Sequence, residues 1–255
     1  MADEILSVQK VSKRFGGLMA VDGCDLSVIE GSIVGLIGPN GAGKSTLFEM
    51  VSGFLSPSSG RILFQGREIT GLPAHEIARA GIIRTFQIPK ALNRMTVLDN
   101  LMLSPQNQSG ETIWNAAFRL YRVRSEEKKI REKAAQILDF FSLQRMRDEY
   151  AGSLSGGQKK LLEMARSLMA DPKLLLLDEP FAGVNPSLSL TLIKRIKELR
   201  DGGLTIMIIE HGIPYVVELS DEIYVLNKGS VMAHGSPEQV ISDKKVLDAY
   251  LGEGR

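Results

Sequence analysis

Val34-Gly35-Leu36-Ile37-Gly38-Pro39-Asn40-Gly41-Ala42-Gly43-Lys44-Ser45-Thr46 joins a short apolar run to a glycine-rich turn that ends in a lysine and two hydroxyl residues. The run at 34–37 predicts a buried strand, and the residues after the turn predict the opening of a helix. Between a strand and a helix the glycines have a task. They let successive backbone N–H groups curl around phosphate oxygens, while the positive end of the helix faces the same oxygens. Lys44 is placed to reach terminal phosphates, and the Ser45 hydroxyl suits Mg2+. Gly38-Pro39-Asn40-Gly41 alone would be only a turn signal. The lysine and hydroxyl at a fixed offset behind an apolar strand make it a phosphate cradle.

The flanking sequence supplies a setting for such a loop. The runs at 82–86, 174–177 and 205–209 are short and β-branched or leucine-rich, and they predict further buried strands of a mostly parallel sheet. Between them Leu161, Met164, Ala165 and Leu168 repeat at helical spacing, as do Leu190, Ile193, Ile196 and Leu199. The combination predicts an α/β layered fold. Residues 1–70 alternate strand-like segments with glycine turns, including 61–65 before Gly66, and predict an antiparallel β layer beside the main sheet. From residue 88 to about residue 152 the chain turns polar and helix-forming, which predicts a helical subdomain. Its charged stretch at 119–133 has balanced signs and is read as a solvated helix face. Residues 222–226, the turn Asn227-Lys228-Gly229 and residues 230–234 predict a hairpin.

Composition narrows the function classes. Lys+Arg 31 against Asp+Glu 30 gives a formal net charge of +1 over 255 residues, so no global field recruits nucleic acid. Phosphate binding must then be local. Cys24 is the single cysteine and cannot form an internal disulfide, and no Cys/His spacing suggests zinc. The first ten residues predict no secretory signal, and no apolar run approaches the ~20 residues needed to cross a bilayer. If the protein moves something across a membrane, another chain supplies the path.

Two more segments carry chemistry. The strand at 174–177 runs into Asp178-Glu179, and carboxylates at the end of a buried strand usually face a cation or a water-filled site. Asp178 suits Mg2+ coordination through water, and Glu179 suits polarising a water that attacks a phosphate. Leu154-Ser155-Gly156-Gly157-Gln158 precedes the helix that carries Leu161 and Met164. Ser155 there reads either as a simple N-cap or as part of a second anion site that needs a phosphate from elsewhere.

The phosphate loop, Leu-Ser-Gly-Gly-Gln at 154–158 and Asp178-Glu179, in this order, resemble the ABC ATPase family over essentially the entire chain. The resemblance implies a P-loop NTPase fold with an antiparallel β layer and a helical subdomain, and ATP with Mg2+ as ligands. It implies a RecA-like core with its β subdomain at 1–87 and 156–255, and a helical subdomain at 88–155 that ends in the signature. It also implies that two subunits meet head to tail. Ser155, Gly156, Gly157 and Gln158 of one would then close on the γ-phosphate held by Lys44 of the other. By the same resemblance Phe15 stacks on adenine, Gln87 touches Mg2+ and senses the transmembrane partner, and His211 contacts the γ-phosphate. Asn185 and Gly212 stand where many members carry aspartate.

Looser habits narrow the branch. Arg84-Thr85-Phe86-Gln87, Met95-Thr96-Val97 with Asn100-Leu101, Ala182-Gly183-Val184-Asn185-Pro186 and the ending Ala249-Tyr250-Leu251-Gly252-Glu253 are similar to ATP-binding subunits of branched-chain amino acid importers. That resemblance implies permease subunits, a second ATPase subunit that is identical or paralogous, an indirect periplasmic binding protein, and a place on the cytoplasmic face of the membrane. Lipopolysaccharide-export and urea or amide transporters are the alternatives, with soluble ABC ATPases of repair or translation behind them. Those soluble enzymes typically carry two ATPase units or a long coiled coil, and this chain has one P-loop and no sustained heptads.

Overall fold

A computed structural model of the chain describes residues 3–86, 91–105 and 120–251. The described strands are β1 (Glu4–Phe15), β2 (Leu18–Ile29), β3 (Ile33–Ile37), β4 (Ser59–Phe64), β5 (Arg67–Glu68), β6 (Ile82–Arg84), β7 (Leu174–Asp178), β8 (Thr205–Ile209), β9 (Glu222–Asn227) and β10 (Ser230–Gly235). The α-helices are α1 (Lys44–Val51), α2 (Ala74–Ala80), α3 (Val97–Met102), α4 (Leu120–Phe140), α5 (Gly156–Leu168), α6 (Pro186–Asp201), α7 (Ile213–Leu219), α8 (Pro237–Ser242) and α9 (Lys244–Leu251). They divide into two compact units, one of residues 1–87, 173–182 and 196–255, the other of residues 88–172 and 183–195.

The first unit holds both sheets. Five strands in the order β9-β3-β8-β7-β6 run parallel, and β10 closes the β9 edge in antiparallel pairing. Every residue of β3, β7 and β8 is buried, which is why these strands read as continuous apolar runs without alternation. Side-chain direction alternates all the same. Val34 and Leu36 join the larger core with Phe48, Met207 and the β1–β4 residues, whereas Ile37 points to a smaller core with Val216, Ile223 and Val240. The expected antiparallel layer is a four-stranded sheet in the order β2-β1-β4-β5.

Two expected boundaries move. The strand predicted at 82–86 stops at Arg84: β6 is the edge of its sheet, and Thr85 turns its hydroxyl to the Asp178 N–H at 3.2 Å. The hairpin turn is two residues and not three. Asn227 still pairs with Ser230, and Lys228 (φ 49) and Gly229 (φ 87) both take the positive φ of a tight turn that follows strand twist.

The second unit is helical. Helix α5 packs on α3 and α4, and this contact assigns it to the helical unit. The expected division at 155/156 placed it with the sheets. The exposed ion pairs Lys128–Glu132 and Arg131–Glu127 along α4 fit a solvated face for the part of the charged run that the structure describes. Of the stripe expected on α6, Ile193 and Ile196 are buried, but Leu190 is 68% exposed and Ser189 and Leu192 face inward beside them. Asn100 is fully buried on α3. Its amide accepts from Leu92 N–H at 2.9 Å and donates to Leu92 O at 3.1 Å and Thr96 O at 2.9 Å, a physical reason for the Asn100-Leu101 habit.

Candidate nucleotide-binding site

Strand β3 delivers the chain to Gly38 at the point where β9 passes closest. A Cβ there would strike the Leu226 carbonyl oxygen, and the backbone takes φ 150, so glycine is required twice over. The loop returns through Ala42, whose carbonyl accepts from Gly229 N–H at 3.0 Å. Gly43 then caps α1 at φ 103, with a Cβ position only 2.5 Å from the Ala20 carbonyl. A glycine cap contributes no side-chain oxygen, and α1 has no side-chain cap bond. Its first-turn N–H groups remain available to an anion. Lys44 is buried, its ammonium held by the carbonyls of Gly38 at 2.6 Å and Pro39 at 2.9 Å. Ser45 is exposed and Thr46 half-buried on the same turn.

At the end of β7, Asp178 and Arg84 form an ion pair of 2.7 Å with both side chains 8% exposed. Arg84 also reaches Ser52 Oγ at 3.3 Å, while its Nε is buried without a hydrogen-bond partner. Glu179 follows at φ 49, a conformation that costs a non-glycine residue on the order of 1–3 kcal/mol. It turns the side chain out of the strand direction, and Glu179 Oε1 lies 3.0 Å from His211 Nε2. His211 comes from the segment after β8, so the two side chains converge from adjacent strand ends. Between them Glu210 is buried and accepts backbone N–H groups from Phe181 at 2.7 Å and His211 at 3.1 Å. Burial pushes its carboxyl above the usual range, opposed by those bonds, and the Glu179 charge adds to the upward push.

A cavity of about 420 Å3 gathers these parts. It is lined by Phe15, Leu18, Met19 and Ala20, by residues 40–46, and by Glu179 and His211. Its size falls in the range of roughly 300–1,000 Å3 that small-molecule sites occupy. Phe15 is 47% exposed, with Lys13 Nζ 5.3 Å from its ring centre, so one apolar ring is presented to the cavity at the end of β1. Gly38 and Pro39 do not line it; they hold Lys44 from behind. Asp178 lies beside it, engaged by Arg84. Gln87 falls outside the described residues.

The donor set suits a hard divalent cation that arrives with a phosphate. Ser45 and Asp178 offer oxygen atoms, and among the described residues no group of three or more His, Cys, Asp or Glu forms a cage of its own.

Ser155, Gly156, Gly157 and Gln158 belong to the helical unit. Ser155 is the N-cap of α5 in a reciprocal box: its hydroxyl accepts from Gln158 N–H at 3.3 Å, and Gln158 Oε1 accepts from Ser155 N–H at 2.9 Å. Ser155 and Gly156 are exposed, and a Cβ on Gly157 would collide with Leu188. The two departures from the family pattern find local reasons. Asn185 Oδ1 accepts from Leu188 N–H at 2.9 Å and caps α6 as an aspartate would. At Gly212 a Cβ would sit 2.7 Å from the Tyr215 ring.

Sequence reasoning passed over Glu210 and Arg84. Glu210 carries the same signal that singled out Asp178, an acid at the end of a wholly apolar strand. Arg84 shows its role only through a contact across 94 residues of sequence.

Known proteins share this sequence and fold. Residues 21–182 match the ABC transporter family, and residues 230–255 match the branched-chain amino acid ATP-binding cassette transporter family. A probable branched-chain amino acid transport ATP-binding protein LivG of Archaeoglobus fulgidus is 47% identical over 249 residues, covering 98% of this chain and 96% of that protein. The high-affinity branched-chain amino acid transport ATP-binding protein LivG of Escherichia coli is 39% identical over 254 residues, 99% of this chain and 100% of its own. The crystal structure of an ATP-binding cassette of an ABC transporter in its ADP conformation superimposes with a TM-score of 0.84 at 40% identity, covering 98% of this chain and 99% of that one. This chain belongs to the ABC transporter family, as one of its ATP-hydrolysing cassettes.

Proposed function

We propose that this chain is the ATP-hydrolysing subunit of a transporter for branched-chain amino acids, working as one of two cassettes on the cytoplasmic face of a membrane. The observation that carries the substrate is the match of residues 230–255 to the branched-chain cassette family, with full-length relatives of that description. The amino acid itself does not touch this chain. No helix among the described residues is long and apolar enough to cross a membrane. In the proposed assembly, permease subunits form the path and a periplasmic binding protein delivers to them.

The site geometry supports a division of labour. Adenine stacks on Phe15; the backbone of residues 38–46 and Lys44 hold the phosphates. Ser45 and Asp178, with Gln87, hold Mg2+, which when bound neutralises charge on the terminal phosphates. Glu179 orients and polarises the attacking water, and His211, 3.0 Å away, meets the γ-phosphate and keeps the Glu179 side chain in place before ATP arrives. Ser155, Gly156 and Gly157 are presented to the nucleotide of a second cassette, and closure across two such sites drives the permease. That drive requires ATP to bind the closed state better than the open one.

Deletion of the gene tests the reading. Uptake of labelled leucine, isoleucine and valine should fall and return with the wild-type gene but not with a Lys44→Ala copy. Unchanged uptake of all three, with loss of another solute, would reassign the substrate.

A further inference from the structure

We infer that Glu210 is a positioning residue that ties the chain leaving Glu179 to the chain carrying His211, so that the two side chains move as one piece. The inference rests on the roles proposed above for Glu179 and His211.

Three independent contacts converge on one small volume. The Glu210 carboxylate is buried at 4% exposure and bridges two separate segments: Oε1 takes the N–H of Phe181, two residues beyond Glu179, at 2.7 Å, and Oε2 takes the N–H of His211 at 3.1 Å and of Gly212 at 3.5 Å. Above it the Phe181 ring stacks on Tyr215 at 4.3 Å and 17°, a second link between the same two segments. Gly212 leaves room for that ring, since any Cβ would lie 2.7 Å from Tyr215 Cδ2. Glu179 N–H donates to Ile209 O at 2.9 Å, a third link.

A buried carboxylate is retained only when its acceptors are filled, and here the filling groups are backbone N–H atoms of the two loops that carry the reacting side chains. Burial in low dielectric strengthens those bonds. Glu179 is held at φ 49, and such strain persists only where the surroundings over-determine it. The stack also accounts for glycine at 212. The side chain of aspartate, frequent there in the family, would displace the ring that completes the link.

Glu210→Gln tests the idea with little change in volume. Its amide nitrogen must face at least one backbone N–H, which loosens one loop from the other. The intact chain should keep its ATP dissociation constant within about twofold while kcat falls about 10- to 100-fold, the size expected when reacting groups are misplaced by about 1 Å. Added to His211→Ala, Glu210→Gln should cost less than it does alone, because the register of Glu179 against His211 is already lost. Gly212→Ala, which leaves the carboxylate in place, should lower kcat in the same direction without changing nucleotide binding, and it serves where Glu210→Gln does not fold. Wild-type kcat in both variants, losses that multiply with His211→Ala, or a parallel fall of affinity and melting temperature would each overturn the proposal. Absence of turnover in the wild-type chain paired with its second cassette would overturn the ATPase reading instead.

Discussion

Helices α1 and α5 both open on glycines, and their N-termini are finished in opposite ways. Helix α1 begins after Gly43 with no side-chain cap, so its first N–H groups have no partner from a capping side chain. Helix α5 begins after Ser155 inside a complete capping box, with Ser155 and Gln158 each serving the other's backbone. One start is left open toward a cavity. The other is closed by its own residues and still shows Ser155 and Gly156 to solvent. Under the function proposed above, the difference sets an order of events: the open start would bind phosphate in a single subunit, and the closed start would contribute only when a neighbour's nucleotide replaces or shares its cap.

The sharpest way to separate binding from closure is to stop the chemistry between them. Glu179→Gln removes the carboxylate proposed to polarise water and leaves α1 untouched, so turnover should fall by roughly 10²- to 10⁴-fold. ATP affinity should persist, and phosphate release against nucleotide titration reads both. ATP-loaded pairs should accumulate on a sizing column; a variant that stays monomeric with ATP would break the proposed order. Lys44→Ala attacks the open start directly. Losing one charge-assisted contact to phosphate removes about 1.5–3 kcal/mol, or roughly 10- to 100-fold in dissociation constant. That loss should appear in the single subunit, before any pairing.

A smaller effect tests the packing behind the closed start. A methyl at Gly157 must displace Leu188, and overpacking of this kind costs about 1–3 kcal/mol. Gly157→Ala should therefore lower the melting temperature. Leu188→Ala in the same chain should recover part of it, because the colliding group is then gone. Failure of the second change to help would show that Gly157 is glycine for a reason other than Leu188.

What the sequence disclosed was whatever is local. Strands β3, β7 and β8 were legible because each is buried on both faces, and the residues of the cradle, Asp178-Glu179 and His211 lie at their carboxyl ends, where α/β ligands gather. Features set by distant partners were not legible. Leu190 shares the spacing of Ile193 and Ile196, which are buried, yet where the inward face of α6 ends is decided by what packs on it, and near its start Ser189 and Leu192 face inward while Leu190 does not. Helix α5 joins the helical unit through α3 and α4, a fact absent from its own pattern. The capping box was different. Its residues were visible, but a free choice remained between cap and anion site until the two hydrogen bonds settled the first role.

Ser155→Ala asks whether that first role is the only one. Removing the hydroxyl leaves the N–H of half-buried Gln158 without its cap and should reduce stability by about 1 kcal/mol, a small shift of the melting curve. Nucleotide affinity of the single subunit should not change, since Ser155 lies in the helical unit and the cavity is lined by residues of the other. Pairing should change. In a Glu179→Gln background the ATP-loaded pair should weaken by about tenfold for each hydroxyl-to-phosphate bond lost, which is the weight of one hydrogen bond to a charged group. Ser155→Arg should abolish the pair altogether, because its side chain fills the space over Gly156 where the phosphate must come. A full-strength pair without the hydroxyl would reduce Ser155 to a cap, and altered affinity in the monomer would place Ser155 at its own chain's nucleotide and break the shared-site reading.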